Sequence, residues 1–266
     1  MNNALQFSNS LLEDFCQTFI SQGSFLLLAN YQLIPQLLYE SIIDRAIANI
    51  ECTVEEIELA CQQFYQHWNL MTEDQQQMWR SHCGLNQIQF EAMATRSLRI
   101  EKFKQATWGH SLESHFLQRK HEFDRVIYSL LRTKDRDLAQ ELFFRVSGGE
   151  QSFAELAQQY SEGTEAETGG LIGPVELGTL HTQLADLLHT SPMGHVQPFG
   201  LGEWCMIVRL EKLIPAQLDE QMRDRLLQEK FDAWLQEQVQ QLSDRDKAWL
   251  GFVPASFAKA NEAAAA

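Results

Sequence analysis

One segment, residues 152–173, constrains the fold more than any other part of the chain because its pattern changes twice over a short distance. Ser152 and Glu155 have the spacing of a capping box, which predicts the start of a helix. Apolar residues then recur at helical spacing as far as Tyr160. An acidic segment follows, and after it come three clustered glycines, Gly169, Gly170 and Gly173. Since glycine permits positive-φ turns, the sequence predicts a capped helix that leads into a tight turn.

The periodicity on either side of this segment predicts a small α+β domain. Residues 126–131 are rich in strand-forming side chains and end in a charged loop at 132–137. Helical and strand periods then alternate along the chain. The further elements predicted are helices at 138–146 and 153–160, a strand at 171–175, a helix at about 179–188, and strands at 196–199 and 205–210. The resulting order is β-α-α-β-α-β-β.

The first 121 residues are predicted to be a helical bundle. Thr53, Thr72 and Asn86 each stand three positions before a Glu or Gln, which is again the capping-box spacing. Gly84 follows an apolar helical segment and is a candidate helix stop. Helical spacing therefore accounts for this half of the chain.

A long helix is predicted at about residues 216–242, and its apolar face needs a partner surface. We expect this helix to pack on the N-terminal bundle, which would make the α+β domain an insertion. The predicted domains are 1–121, 122–214 and 215–266, and the end of the last one, Ala263 to Ala266, is expected to fray.

Charge and composition exclude several classes of partner. The formal net charge of −15 argues against nucleic acid and against insertion into an anionic membrane surface, since both depend on clusters of Lys and Arg. No apolar run reaches the length of a membrane span. The first residues lack the pattern of a signal peptide, so we expect a cytoplasmic location. The five cysteines include no Cys-x-x-Cys pair, and we expect them to be reduced.

With these elements in place, the segment resembles the signature of parvulin-type peptidyl-prolyl cis-trans isomerases. The resemblance covers roughly residues 125–213. It rests on the helix Phe-Ala-Glu-Leu-Ala-x-x-Tyr-Ser, the turn Gly-Gly-x-x-Gly, the following Gly178 and the later Pro192-Met-Gly194. The helical flanks are similar to those of chaperone-foldases that carry a parvulin domain between N-terminal helices and a returning C-terminal helix. The resemblance implies a foldase that acts on unfolded or proline-containing polypeptides and needs no cofactor.

The resemblance also implies where the site lies. The apolar residues that hold the proline ring fall on Ile172, Leu180 and Leu184. The histidine of the first strand falls on Tyr128, and that of the last strand falls on Met206, or on Cys205 if the register slips by one. Tyr128 is therefore the candidate catalytic residue, and Met206 is a candidate substrate contact.

The resemblance also assigns three further positions of the site. The family's Cys or Asp falls on Gly163, and the Asp of its glycine turn falls on Leu171. Arg132 begins the loop in which some parvulins read a charge before the proline, although a solvated loop is the simpler interpretation. Leu171 and Arg132 complete the set of candidate substrate-binding residues.

Two functions remain open from the sequence. In the first, the chain isomerises prolyl bonds weakly, because most of the polar residues of the family are replaced. In the second, it is a non-catalytic chaperone or export escort that holds extended chains. A metal site is not expected, because His110, His115 and His121 are spaced by five and six rather than four.

Overall fold

The structure is a computed structural model that describes residues 22–252. Cys16 and the predicted frayed tail lie outside the described residues. The chain divides into two compact units. The first unit comprises the residues up to Leu112 together with those from Asp224 onward, and the second is Glu113–Arg223. The domain borders predicted from the sequence stay a prediction.

The first unit is helical in its described part. Three of its helices begin with the capping boxes of Thr53, Thr72 and Asn86, and all three boxes are formed as predicted. Gly84 follows the helix that ends at His82 and has a φ of 67°. The helices before the inserted unit are α1 (Gln22–Asn30), α2 (Ile34–Ile47), α3 (Val54–His67), α4 (Glu73–His82), α5 (Gln87–Ala94) and α6 (Arg96–Trp108).

The C-terminal part of the chain returns to pack on α2. Val239 and Leu242 share a core with Ile34, Leu38 and Ile42 of that helix. Burying each such side chain contributes roughly 1.5–3 kcal/mol. The prediction that the last helix packs on the N-terminal helices is confirmed.

The boundaries of that last helix differ from the prediction. It is divided into α11 (Glu220–Gln240) and α12 (Asp244–Trp249). The Asp219 carboxylate accepts a hydrogen bond from the Met222 N–H at 2.9 Å, so the chain is capped later than the apolar pattern alone suggests. Ser243 caps α12 by accepting from the Asp246 N–H, which ends the long helix and starts a new one.

The second unit contains a four-stranded antiparallel sheet in the order β2-β1-β4-β3. The predicted order of helices and strands is confirmed. The elements are α7 (Leu112–Phe123), β1 (Arg125–Thr133), α8 (Arg136–Ser147), α9 (Phe153–Tyr160), β2 (Leu171–Glu176), α10 (Thr182–Thr190), β3 (Val196–Leu201) and β4 (Trp204–Ile214). A 3₁₀ turn at Leu177–Thr179 delays the start of α10 relative to the predicted helix.

The two faces of the sheet are covered differently. Alternate side chains of β1 and β4 point to opposite faces, as the strand period requires. On one face, Leu131 and Ile207 pack against α8 and α9. On the other face, which we call the Tyr128 face, α10 covers the sheet; the buried residues of this face are Val126, Tyr128, Leu130, Leu177, Leu184, Leu188, Met206, Val208 and Leu210.

The predicted bounds of the charged loop, 132–137, are wrong. Arg132 and Thr133 still belong to β1, where they pair with Met206 and Cys205 of β4. Asp135 then caps α8, because its carboxylate accepts from the N–H groups of Asp137 and Leu138 at 2.9 and 3.1 Å. Long-range strand pairing extends β1, and the cap shortens the connection. Arg132 is therefore a strand residue whose side chain has a fixed direction.

The three clustered glycines have the backbone geometry expected of them. Their φ values are 63°, 82° and 115° for Gly169, Gly170 and Gly173. The Gly170 N–H donates to the Glu165 carbonyl at 2.7 Å, and the Gly170 carbonyl accepts from the Leu130 N–H at 2.8 Å. A Cβ at Gly170 would lie only 2.7 Å from the backbone carbonyl oxygen of Leu130. This turn is thus held against β1, which brings the start of β2 beside Tyr128.

We expect Gly170→Ala to lower the free energy of unfolding of the second unit by about 1–3 kcal/mol more than Gly194→Ala does. Both glycines have positive φ, so both substitutions carry the cost of backbone strain. Only the Cβ at Gly170 would meet other atoms, whereas the space around Gly194 is open. Urea unfolding followed by NMR signals of β1 and β4 measures the difference. Equal losses in the two variants would contradict the close approach of this turn to β1.

Candidate functional site

Five of the predicted site residues lie together on the Tyr128 face. Tyr128 of β1 lies opposite Ile172 of β2, and Met206 comes from β4. Leu184 of α10 and Leu180, just before that helix, pack on the same cluster. Met206 rather than Cys205 faces this cluster, because alternate residues of β4 point to opposite sides.

The five residues differ in how much of each side chain a ligand could reach. Tyr128, Leu184 and Met206 are only 4%, 7% and 7% exposed. Ile172 and Leu180 are half-buried. The first three therefore form the floor of the face, and the last two form the surface available to a bound side chain.

Sequence reasoning missed two aromatic residues of this face. Phe199 of β3 lies opposite Met206, and Trp204 is the first residue of β4. Both are half-buried and pack against the Tyr128 cluster. They supply aromatic surface near the position where the aromatic ring of the family is replaced by Leu184. The alternation of β4 could have placed Trp204 on the side of Met206, but the pairing of β3 with β4 was needed to place Phe199.

Leu171 lies apart from this cluster. It precedes Ile172 on β2 and pairs with Ser129, so its side chain points to the side opposite that of Ile172. It is 52% exposed. The structure thus leaves Leu171 as an apolar residue at the edge of the sheet.

The Tyr128 hydroxyl is a hydrogen-bond donor that the surrounding protein does not use. Burial raises the pKa of this phenol, the Glu165 carboxylate raises the pKa further, and the Arg132 guanidinium opposes both effects. No hydrogen bond joins the hydroxyl to another residue in the described part of the chain. Tyr128 therefore stays protonated at neutral pH and can donate to a ligand on this face.

Arg132 lies on the same side of β1 as Tyr128, and its charge is paired. Its Nε lies 3.1 Å from the Glu165 carboxylate, although the angle is not that of a directed hydrogen bond. The guanidinium carbon lies 5.2 Å from the centre of the Trp204 ring, within the range of a cation–π contact. Lys134 contacts the same ring at 5.0 Å and forms an ion pair with Glu203 at 2.9 Å. The two cations are thus engaged within the protein.

The acidic segment after α9 is bound to the end of β1. One Glu162 carboxylate oxygen accepts from the Thr133 hydroxyl at 2.6 Å and from the Lys134 N–H at 2.9 Å. These two hydrogen bonds, that of Thr133 first, lower the pKa of Glu162. The Ser161 hydroxyl donates to the Glu165 carboxylate at 2.6 Å. Glu162 and Glu165 therefore have structural partners and are not a freely solvated charge run.

Two features are absent from residues 22–252. No helix there is both long enough and apolar enough to cross a membrane. Within the same residues, no three His, Cys, Asp or Glu side chains are grouped in a way that could hold a metal ion.

The chain is similar to several proteins of known structure. It is 20% identical to the peptidylprolyl isomerase PrsA from Bacillus cereus, over 85% of this chain and 91% of that one, with a TM-score of 0.46. For PrsA from Bacillus anthracis the identity is 19%, the coverages are 85% and 97%, and the TM-score is 0.37. The parvulin domain of PpiD from E. coli is 26% identical over 36% of this chain and 95% of that one, with a TM-score of 0.32. No curated protein matches the chain.

One family model, that of the rotamase or PPIC-type PPIase domain, matches residues 120–212. The matched residues include all four strands of the sheet apart from the last two residues of β4. They also include every residue of the Tyr128 face described above. Residues 120–212 therefore form a PpiC-type peptidyl-prolyl isomerase domain, that is, a parvulin domain.

Proposed function

We propose that this chain is a foldase that binds proline-containing, unstructured polypeptide segments on the Tyr128 face and isomerises their prolyl bonds slowly. One observation carries the proposal: an apolar face with a single unused hydroxyl at its centre. Ile172 and Leu180 offer accessible apolar surface beside the Tyr128 hydroxyl. A proline ring is largely apolar, and its own nitrogen is that of a tertiary amide, so this combination fits such a ligand.

The reaction needs little more than such a face. Rotation about the prolyl bond is slow because amide resonance sets a barrier of about 18–20 kcal/mol. Twisting removes the resonance, and the twisted state has a more basic ring nitrogen and a less polar carbonyl. A surface that holds the ring away from water and offers a donor to the nitrogen favours the twisted state over the planar one. Tyr128 is the residue proposed to donate.

The polar part of the site is small, which supports slow catalysis. Met206 and Gly163 stand where the family has polar side chains, and neither offers a donor. Losing two or three hydrogen-bonding groups costs about 10²-fold in rate, since each 1.36 kcal/mol of transition-state stabilisation is tenfold. We therefore expect this chain to isomerise prolyl bonds more slowly than parvulins that carry both histidines.

The remaining candidate residues have roles at the rim. Arg132 is one-third exposed and carries guanidinium N–H groups that could donate to a backbone carbonyl of the client. Exposed Leu171 offers apolar surface to client residues beyond the proline. Both side chains lie outside the Tyr128 cluster, so their proposed contacts are with parts of the client beyond the proline ring.

A non-catalytic chaperone or escort is the alternative, and features of the first unit favour it. Helices α3 and α4 contain no fully buried residue. A cavity of about 420 Å³ lies on them, and its lining includes Tyr65, Leu70 and Met71. Met78 and Ile88 add further exposed apolar surface nearby in the sequence. Such surface can hold unfolded chains without any contribution from the Tyr128 face.

We further propose that the protein works in the cytoplasm. The four cysteines in the described part of the chain, Cys52, Cys61, Cys83 and Cys205, are free thiols, as is usual in reducing compartments. Fractionation of cells that produce the natural protein would test this location, and recovery outside the cytoplasm would contradict it.

Replacing Tyr128 by Phe should lower kcat/KM for a short prolyl peptide by about two- to tenfold, the effect of one lost hydrogen bond of 0.5–1.5 kcal/mol. Peptide affinity should change little, because the apolar ring remains. Tyr160→Phe is the matched control, since Tyr160 packs on the opposite face of the sheet. The assay is prolyl isomerisation followed by NMR or a coupled protease. Unchanged turnover in Tyr128→Phe would contradict the role of the hydroxyl.

Leu180→Asp separates the two candidate functions. A carboxylate on the accessible part of the Tyr128 face should abolish measurable binding of proline peptides together with isomerisation. Suppression of client aggregation should fall with them if the face is the main binding site. Leu117→Asp is the control, because Leu117 is already exposed on α7. Full aggregation suppression in Leu180→Asp would favour the chaperone alternative, and full isomerisation would show that the reaction occurs elsewhere.

A further inference from the structure

Gly163 is a glycine for reasons of space. Its φ of −113° and ψ of 175° describe extended backbone that any residue adopts. A Cβ at this position would, however, lie well under 3.0 Å from Arg132 Nε, Arg132 Nη2 and Glu165 Oε2. The ion pair between Arg132 and Glu165 therefore occupies the volume that a side chain at position 163 would need.

The ion pair is held from several sides. The Glu165 side chain is only 4% exposed, and its carboxylate accepts from the Ser161 hydroxyl as well as facing Arg132. The Ser161 hydroxyl oxygen in turn accepts from the Arg132 N–H at 3.1 Å. On its other side the guanidinium contacts the Trp204 ring. Both partners are thus fixed by other groups, which lowers the entropic cost of the pair.

The same pair is connected to the Tyr128 face. Arg132 and Tyr128 lie four positions apart on β1, so their side chains emerge on the same face, with about 13 Å between their backbone positions. Both charges act on the Tyr128 hydroxyl. The Glu165 carbonyl accepts from the Gly170 N–H, and the turn at Gly170 leads directly to Ile172. Displacing Glu165 would therefore disturb both Tyr128 and Ile172, the two residues proposed to contact the proline.

We propose that Arg132 and Glu165 are the positioning residues of this site and form one unit with Gly163. The pair fills the space beside the acidic segment, joins that segment to β1, and so keeps Ile172 in register with the Tyr128 hydroxyl. Gly163 is required because it leaves this space to the pair. The effect on turnover rests on the proposed isomerase function, whereas the structural coupling does not.

A double-substitution cycle tests the unit directly. Gly163→Ala should lower kcat/KM for a prolyl peptide at least fivefold in the wild-type background, with less than a twofold change in the peptide Kd. In an Arg132→Ala background, where space has been freed, the same substitution should have less than a twofold further effect. Gly200→Ala is the control, because Gly200 also lacks a positive φ and has open space around it. Equal effects of Gly163→Ala in both backgrounds would overturn the proposal.

A second readout does not depend on activity. The ¹³Cζ signal of Tyr128, assigned with Tyr128→Phe, reports the titration of its hydroxyl. Glu165→Gln should lower the pKa of Tyr128 and Arg132→Gln should raise it, because the two charges act on the phenol in opposite directions. If neither substitution moves the signal, the pair does not act on Tyr128 and the proposal is wrong. A wild type without isomerase activity would contradict the proposed function alone, since the titration of Tyr128 would still be measurable and would still test the pair.

Discussion

The second unit depends on the position of β1 between β2 and β4. Both edges of this strand are paired, and both of its faces are covered. Its alternation sends Leu131 to the side of α8 and α9 and Tyr128 to the opposite side. The capped helix, the acidic segment and the glycine turn are all held against this one strand by hydrogen bonds from Arg132, Thr133 and Leu130. The site thus derives its geometry from strand pairing.

This arrangement explains how the site can lack polar residues and still keep its shape. A polar side chain at position 163 would itself help to hold the residues of the site in place. Here Gly163 leaves the space to an ion pair whose carboxylate is shielded from water and whose guanidinium is one-third exposed. A partly buried ion pair costs desolvation, and good geometry with additional hydrogen bonds is needed to offset it. The Ser161 hydroxyl supplies one such hydrogen bond to the Glu165 carboxylate, and the Trp204 ring adds a cation–π contact to the guanidinium.

Local signals in the sequence predicted the elements whose causes are local. The capping boxes of Thr53 and Ser152 and the positive-φ turn at Gly170 depend on residues only a few positions apart. The resemblance to the parvulin signature predicted that Tyr128 and Met206 belong to one site but left Cys205 as an alternative, and the pairing of β1 with β4 decided for Met206. Arg132 was assigned to a loop because its pairing with β4 is long-range. Phe199 and the reason for Gly163 were missed for the same cause, since each depends on contacts that form only in the folded chain.

The central claim is that the Tyr128 face binds proline-containing segments and speeds their isomerisation. Two-dimensional exchange NMR on the full chain with a short prolyl peptide tests both parts in one sample. We expect chemical-shift changes centred on Tyr128, Ile172 and Leu180. We also expect cis–trans exchange peaks of the peptide that are absent without the protein. Shift changes confined to the helices of the first unit, with no exchange peaks, would contradict it.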